Sequence, residues 1–365
     1  MRLRARDAGV WFGELPTGSR NMITDVPGVK VGHCTVVKGR GPLKVGKGPV
    51  RTGVTAVLAH SRSLWKEPVK AAYFDFNGCG GLQGALQIQE FGTIDTPIVL
   101  TNTMGMGTAC DAVVKYMLGL NPDAGIKEDT IIPIVSECDD SYLNDSRGLH
   151  VKEEHVVSAI KDARDTVFEG AVGAGTGMSC YDFKGGIGTS SRVVEVAGDK
   201  YTLGTLVLTN HGERNELRID GVPVGCNIPP PEDKRVQQGS IVMLLGTDAP
   251  LDSRQLGRLA RRTFLGMATT GSCSGNGSGD IAIAFSTANA HPRRQSEAPV
   301  TDILLQDRSM DPLFRATVDS TAESIINSLF KAETVEGRDG NTSYALPIEQ
   351  TLEILKQHGR LIKHG

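Results

Sequence analysis

The junction Gly239-Ser240 is where this 365-residue chain offers chemistry most directly. Ser240 opens an apolar run, SIVMLLGT, that reads as a buried strand. The segment before it, PPPEDKRVQQ (229–238), is proline-led and charged, and reads as exposed. A serine ahead of a strand is commonplace. Here, though, Gly239 has no side chain to hinder attack on its carbonyl, and a serine heading a sheet strand is held rigidly. Such a serine can attack the preceding carbonyl, pass through an ester and end as a new N-terminus whose α-amine serves as a local base. A cut there divides the chain into residues 1–239 and 240–365.

A second cluster, TTGSCSGNGSGD (269–280), lies between a helical pattern and a strand pattern. The plain alternative is a flexible linker. The functional reading is an anion hole, in which glycines let backbone N–H groups converge while Ser278 and Asp280 relay a proton. Other motifs are weaker. GAVGAGTGM (170–178) contains G-x-G-x-G, but a dinucleotide site needs a strand before it and a helix after it. Phe168-Glu169 precede it and YDFKGGIGTSS follows, so a turn-rich loop is expected. No G-x-S-x-G elbow occurs, which argues against an α/β-hydrolase esterase. No H-E-x-x-H occurs, and His150 and His155, five apart, do not share a helix face. Neither a metal nor a cofactor is expected.

The elements that must position these residues alternate. Strands are expected at Val29 to Thr35, Val54 to His60, Pro97 to Asn102 and Ile131 to Val135. A helix is expected after Gly105 to Gly107, with Ala109, Val113 and Met117 on one face. Val156, Ile160 and Ala163 have helical spacing. RVVEVA and YTLGTLVLTN flank Gly198-Asp199 as a hairpin. Residues 253–268 carry Leu256, Leu259, Ala260, Thr263, Phe264 and Met267 at steps of three and four, an amphipathic helix. DIAIAFSTA (280–288) reads as a strand. Asp311-Pro312 starts a long helix with Phe314, Val318, Ala322, Ile325, Ile326 and Leu329 on one stripe, and a last helix uses Ile348, Leu352 and Leu355. Helices layered on sheets are the expected result.

Composition closes off several classes. The net charge is −3 with scattered Lys and Arg, so no basic face for nucleic acid is expected. No run of about 18 apolar residues is present, so no membrane span is expected. The N-terminus MRLRARDAGVWFG lacks an apolar core, so it does not read as a secretory signal. The seven cysteines are odd in number and widely spaced, which fits free thiols in a reducing cytoplasm.

The blocks QGSIVMLLGTDAPL (238–251) and SGNGSGDIAIAFSTAN (274–289) resemble the DmpA-type aminopeptidases and their β-peptidyl aminopeptidase relatives. NMITDVPGVKVGH (21–33), DFNGCGGLQG (75–84), ECDDSYLNDSRG (137–148) and GAVGAGTGMSCYDFKGGIGTSSR (170–192) extend the resemblance over almost the whole chain. It implies one α+β domain over residues 1–365: a four-layer αββα sandwich, like the N-terminal-nucleophile hydrolases but differently connected. It implies self-cleavage at Gly239-Ser240 into an α chain, 1–239, and a β chain, 240–365. Ser240 then matches the nucleophile, Ser278 and Asp280 the assisting polar pair, Asn210 the oxyanion-hole amide with the Gly279 N–H as companion, and Glu137 the carboxylate near the substrate's free amine. Many relatives carry Tyr where this chain has Asp139, and the nearby Tyr142 is the candidate substitute. The implied substrates are small peptides and amino-acid amides or esters, and the implied assembly is a homotetramer of processed units. An acyltransferase of the ornithine acetyltransferase type, which uses a Thr nucleophile, is the same-fold rival. A non-catalytic anion- or ligand-binding protein is the rival of another class.

Overall fold

The computed structural model describes residues 2–229, 239–293 and 299–361. Of the segment expected to be exposed before the cut, residues 230–238 lie outside the described residues. In chain order the strands of the first half are β1 (Lys30–Lys38), β2 (Val50–Leu58), β3 (Val69–Gly78), β4 (Leu82–Gln83), β5 (Thr93–Ile94), β6 (Ile98–Asn102) and β7 (Ile134–Cys138). They are followed by β8 (Ser179–Cys180), β9 (Phe183–Lys184), β10 (Ile187–Val196), β11 (Asp199–Asn210), β12 (Ser240–Thr247), β13 (Gly279–Ser286), β14 (Val335–Glu336) and β15 (Thr342–Ser343). The α-helices are α1 (Ala85–Phe91), α2 (Met106–Leu120), α3 (Glu153–Lys161), α4 (Ser253–Thr269), α5 (Asp311–Lys331) and α6 (Ile348–Gln357).

Two main sheets result, one ordered β1-β2-β6-β7-β4 and the other β10-β11-β12-β13-β3-β5. Side-chain alternation along each strand separates three cores. On β12, Val242 and Leu244 face Ile98, Leu100 and Ile134 of the other sheet, forming the core between the sheets. Ile241, Met243 and Leu245 point the opposite way, onto Leu256 and Leu259 of α4 and Ile325 and Leu329 of α5. On the far side of the first sheet, Val54, Val99 and Val135 meet Ala109 and Val113 of α2 and Val156 and Ile160 of α3. Helices, sheet, sheet, helices: the four-layer αββα sandwich is the observed architecture. Because both faces of the central strands are covered, those strands read as continuous apolar runs rather than alternating ones.

Most expected elements are present with shifted ends. The expected strand at Ile131 to Val135 forms instead at Ile134–Cys138, after Pro133, which lacks a backbone N–H. The hairpin turns at Ala197-Gly198, both at positive φ, one residue earlier than expected. α4 starts with a reciprocal cap: Asp252 Oδ1 accepts from the Gln255 N–H at 2.7 Å and Gln255 Oε1 from the Asp252 N–H at 3.1 Å. The stripe expected on α5 is only half right. Phe314, Val318 and Ala322 are partly exposed. The face on the sheet is instead hydroxylated, with Ser320 bonded to Thr205, Ser324 to Ser190 and Ser328 to Thr209. Gly188 permits this approach, since a Cβ there would lie 1.9 Å from the Ser324 carbonyl. Small residues bring helix and strand backbones together, and hydropathy spacing does not register them.

All seven cysteines are free thiols. Among the described residues, no helix is long and apolar enough to cross a membrane.

Candidate active site

The site is built where four strands end side by side. Ser240, the first residue of β12, stands opposite Asn210, the last residue of β11, as a cross-strand pair. On the other side β12 runs parallel to β13, with Ile241 beside Asp280. β13 in turn pairs antiparallel with β3, Gly279 opposite Gly78, and the register shifts at Asp280/Ile281 in a β-bulge. Bulges re-aim side chains at sheet ends. Ser240 is buried, only 7% exposed, and its Oγ accepts a hydrogen bond from the Gly279 N–H at 3.1 Å. The three-residue neighbourhood Ser240, Gly279 and Asn210 thus forms from positions that are 30 and 39 apart in sequence, counted from Ser240.

Glycine is required at two of these positions by contact, not by turn geometry. A Cβ on Gly239 would lie 1.6 Å from the Asn210 carbonyl oxygen, and one on Gly279 would lie 2.5 Å from the Cys79 carbonyl oxygen. The residue before the nucleophile is therefore pressed against the strand that carries Asn210. The Asn210 amide has its orientation set by both partners: Oδ1 accepts from the Ser179 N–H at 2.9 Å, and Nδ2 donates to the Asp139 carbonyl at 2.8 Å.

Asp280 is fully buried. Its Oδ1 accepts from Ser278 Oγ at 2.6 Å and its Oδ2 accepts from Ser274 Oγ. Burial pushes this carboxyl above the ordinary carboxylate range, and the two serine hydroxyls and the Ile241 backbone pull against that shift. Ser278 makes no hydrogen bond to Ser240 among the described residues; it adjoins the nucleophile's partner Gly279 in sequence.

Glu137 lies in β7, one residue before its end, on the other sheet. Its carboxylate accepts from the Gly81 N–H at 2.7 Å and from the Thr103 hydroxyl. Burial raises its pKa, the two hydrogen bonds lower it, and the charge of Asp139 raises it again. No cationic side chain among the described residues, Arg147 included, comes within 4.0 Å of Glu137. Gly80 joins this carboxylate to the nucleophile, because a Cβ on it would lie 3.2 Å from Gly279 Cα and 3.6 Å from Glu137 Oε1. The site therefore presents a buried carboxylate, held by two hydrogen bonds and with no ion pair among the described residues, across one glycine from the Ser240–Gly279 contact.

The other expected positions are placed as follows. Asp139 turns its side chain outward, where it accepts from the Ser141 N–H and hydroxyl, both at 2.8 Å, and contributes only its carbonyl to Asn210. Tyr142 follows on the same loop, and its backbone carbonyl accepts from Asn341 Nδ2 at 2.8 Å. The 170–178 glycine run forms a buried 3-10 turn (Gly173–Gly177) with no helix after it. The fully buried Lys184 holds that turn, donating to the carbonyls of Gly175, Met178 and Gly185 at 3.0, 2.6 and 2.7 Å. Residues that spacing alone does not single out are Thr103, Gly80, Gly81 and Ser274. The available signal was DFNGCGGLQG: four glycines within ten residues need a backbone that something approaches closely, here Glu137 and Gly279.

A family model described as peptidase family S58 matches residues 21–343. The chain is 42% identical over 375 residues to the β-peptidyl aminopeptidase BapA of Sphingosinicella microcystinivorans, covering 98% of this chain and 93% of that protein. It is 51% identical to a protein of Pyrococcus horikoshii OT3 whose structure superposes with a TM-score of 0.94, covering 98% of this chain and all of that one. It is 41% identical, with a TM-score of 0.92 and coverage of 98% and 99%, to the L-aminopeptidase D-Ala-esterase/amidase of Ochrobactrum anthropi, described as a prototype of serine aminopeptidases and a variant of the Ntn-hydrolase fold.

Proposed function

Because this chain belongs to peptidase family S58 it is a peptide-bond hydrolase, and we propose that it is a self-processing aminopeptidase acting through an acyl-enzyme on Ser240. The relatives favour this over an acyltransferase and over a non-catalytic binding protein. The observation that carries the reading is the Gly279 N–H donating to Ser240 Oγ at 3.1 Å, at the head of a strand whose preceding residue is Gly239.

In the first reaction Ser240 Oγ adds to the Gly239 carbonyl carbon and its proton passes toward Ser278. The Gly239–Ser240 C–N bond breaks, the nitrogen takes up the proton, and water then cleaves the ester. Residues 1–239 and a chain beginning at Ser240 result. In turnover, the same oxygen attacks the first acyl carbon of a substrate. The new Ser240 amine, with an ordinary pKa of about 7.7–8.0, serves as base near neutral pH. Asn210 Nδ2 and the Gly279 N–H stabilise the oxyanion. Glu137 receives the substrate's ammonium group and so selects a chain end over an interior bond, with Tyr142 as the second substrate-binding residue of this reading. Short peptides and amino-acid amides or esters are the substrates, and a homotetramer of processed units is the assembly.

Intact mass analysis with an aminoacyl p-nitroanilide panel tests this. Wild-type protein is expected as two pieces, of 239 and 126 residues on the sequence count, the smaller beginning SIVML. Ser240→Ala is expected uncut and inactive, and N-acetylated substrates are expected to be rejected. Activity retained in Ser240→Ala removes Ser240 from the mechanism.

A further inference from the structure

Ser274 belongs to none of the roles above, yet it occupies one of the two oxygens of the buried Asp280. We infer that Ser274 is a positioning residue for the Ser278–Asp280 pair, holding Asp280 as the acceptor of the Ser278 proton during self-cleavage. The inference rests on the reading of Ser240 as the self-cleaving nucleophile.

Three observations carry it. The first is the distribution of donors: Ser278 Oγ donates to Oδ1 and Ser274 Oγ to Oδ2, and no cationic side chain among the described residues lies within 4.0 Å of either oxygen. Hydroxyls, rather than a salt bridge, therefore hold this carboxylate in place. The second is backbone conformation. Ser274 has φ +56, in the left-handed region that glycine enters without strain. It sits in a stretch that supplies glycine at 271, 275, 277 and 279, so the strained position retains a hydroxyl where glycine would fit more comfortably. The third is anchoring. The Ser274 N–H donates to Ser272 Oγ at 3.2 Å, and Asn77 Nδ2 reaches the carbonyls of Gly275 at 2.7 Å and Ser274 at 3.5 Å. The hydroxyl is thus tied through β3 to the same bulge that aims Asp280.

The role matters most before the cut. In the uncut chain the Ser240 nitrogen is an amide, so the α-amine that later serves as base does not exist. In the relay the Ser240 proton moves to Ser278 as the Ser278 proton moves to Asp280 Oδ1, and when the C–N bond breaks Ser278 gives one proton to the departing nitrogen while Asp280 returns the other to Ser278. Only an ionised Asp280 accepts that proton. Burial already pushes Asp280 upward, and removing the Ser274 donor pushes it further. The loss is therefore greatest in acid and shrinks as pH rises. Other titratable groups on the elements around Asp280 do not offset this. Cys138 on β7 is held neutral by burial, with its thiol pKa raised well above normal; Asp75 on β3 is exposed; Glu137 stands beyond Gly80.

The test follows the cut in chain made by cell-free synthesis, quenched at intervals between pH 5.5 and 8.5 and read by intact mass. Ser274→Gly removes the hydroxyl and relieves the backbone. It is expected to fold with an unchanged Tm, to cut at least about tenfold slower at pH 6, and to approach wild-type rate at pH 8.5. Ser274→Asn, which tolerates the left-handed region and supplies an N–H donor, is expected to restore the rate to within a few-fold. A Ser274→Gly chain that cuts at wild-type rate throughout overturns the inference. So does a deficit that is equal at every pH and not rescued by asparagine. Ser240→Ala, run alongside, separates the two claims: if that chain is cut, the nucleophile assignment fails whatever Ser274 does.

Discussion

The proposed mechanism gives Asn210 and Glu137 separable duties, and substitution should separate them. In the proposed mechanism, Asn210→Ala removes one oxyanion donor while leaving Ser240 and Gly279 in place. Loss of one such donor costs on the order of a hundredfold to a thousandfold in kcat. Steady-state kinetics on cut enzyme check this, and full activity in a processed Asn210→Ala protein would reassign the oxyanion hole. Glu137→Gln should still cut itself, because self-cleavage involves no substrate amine. It should lose most of its kcat/KM on free-amine substrates; breaking a buried charge contact typically costs about 2–5 kcal/mol. A pH dependence accompanies it. Burial raises the Glu137 pKa, the substrate ammonium needs the ionised carboxylate, and so kcat/KM should fall as pH drops through a value above the ordinary carboxylate range. That limb should be missing in Glu137→Gln, and its persistence would place the titration elsewhere.

At the scale of elements, the site depends on strand ends that approach too closely for side chains. Gly279→Ala keeps the N–H that bonds Ser240 but places a Cβ 2.5 Å from the Cys79 carbonyl oxygen, a backbone atom that cannot rotate away. The β13 start must move from the loop after β3, at a cost of roughly 1–3 kcal/mol for overpacking, and the donor moves with it. We expect a lower Tm together with slow maturation. A Gly279→Ala chain that melts and cuts like wild type would show that the contact gives way freely.

At the scale of the whole molecule, cleavage should not separate the pieces. β12 and β13 belong to residues 240–365, yet they lie between β11 and β3 of residues 1–239 in one hydrogen-bonded sheet. The buried Glu323 of α5, on the second piece, also holds Arg192 at 2.7 Å and Arg6 at 2.9 Å, both on the first. Size-exclusion chromatography of cut enzyme should therefore give one species containing both chains, parting only in denaturant. Dissociation in native buffer would contradict the interleaved sheet.

Residue patterns alone were enough to mark the Gly239-Ser240 junction, the Ser278–Asp280 pair, α2, α4 and the hairpin β10–β11, because each is local: a turn, a helical period or an apolar run within twenty residues. The resemblance carried Asn210 and Glu137 as matches, with no physical account of why they belong together. That account is tertiary. Asn210 meets Ser240 through strand register, and Glu137 arrives from the opposite sheet across Gly80. Ser274 and Thr103 became visible only through the carboxylates they bond, since a serine or threonine in a loop carries no periodic signal. The hydroxylated face of α5 escaped for a related reason: its Ser and Thr side chains are buried by bonding to Thr205, Ser190 and Thr209 rather than by hydropathy. Local chemistry is written in neighbouring residues. Contacts between residues far apart in the chain depend on how the layers stack, which only the folded sandwich decides.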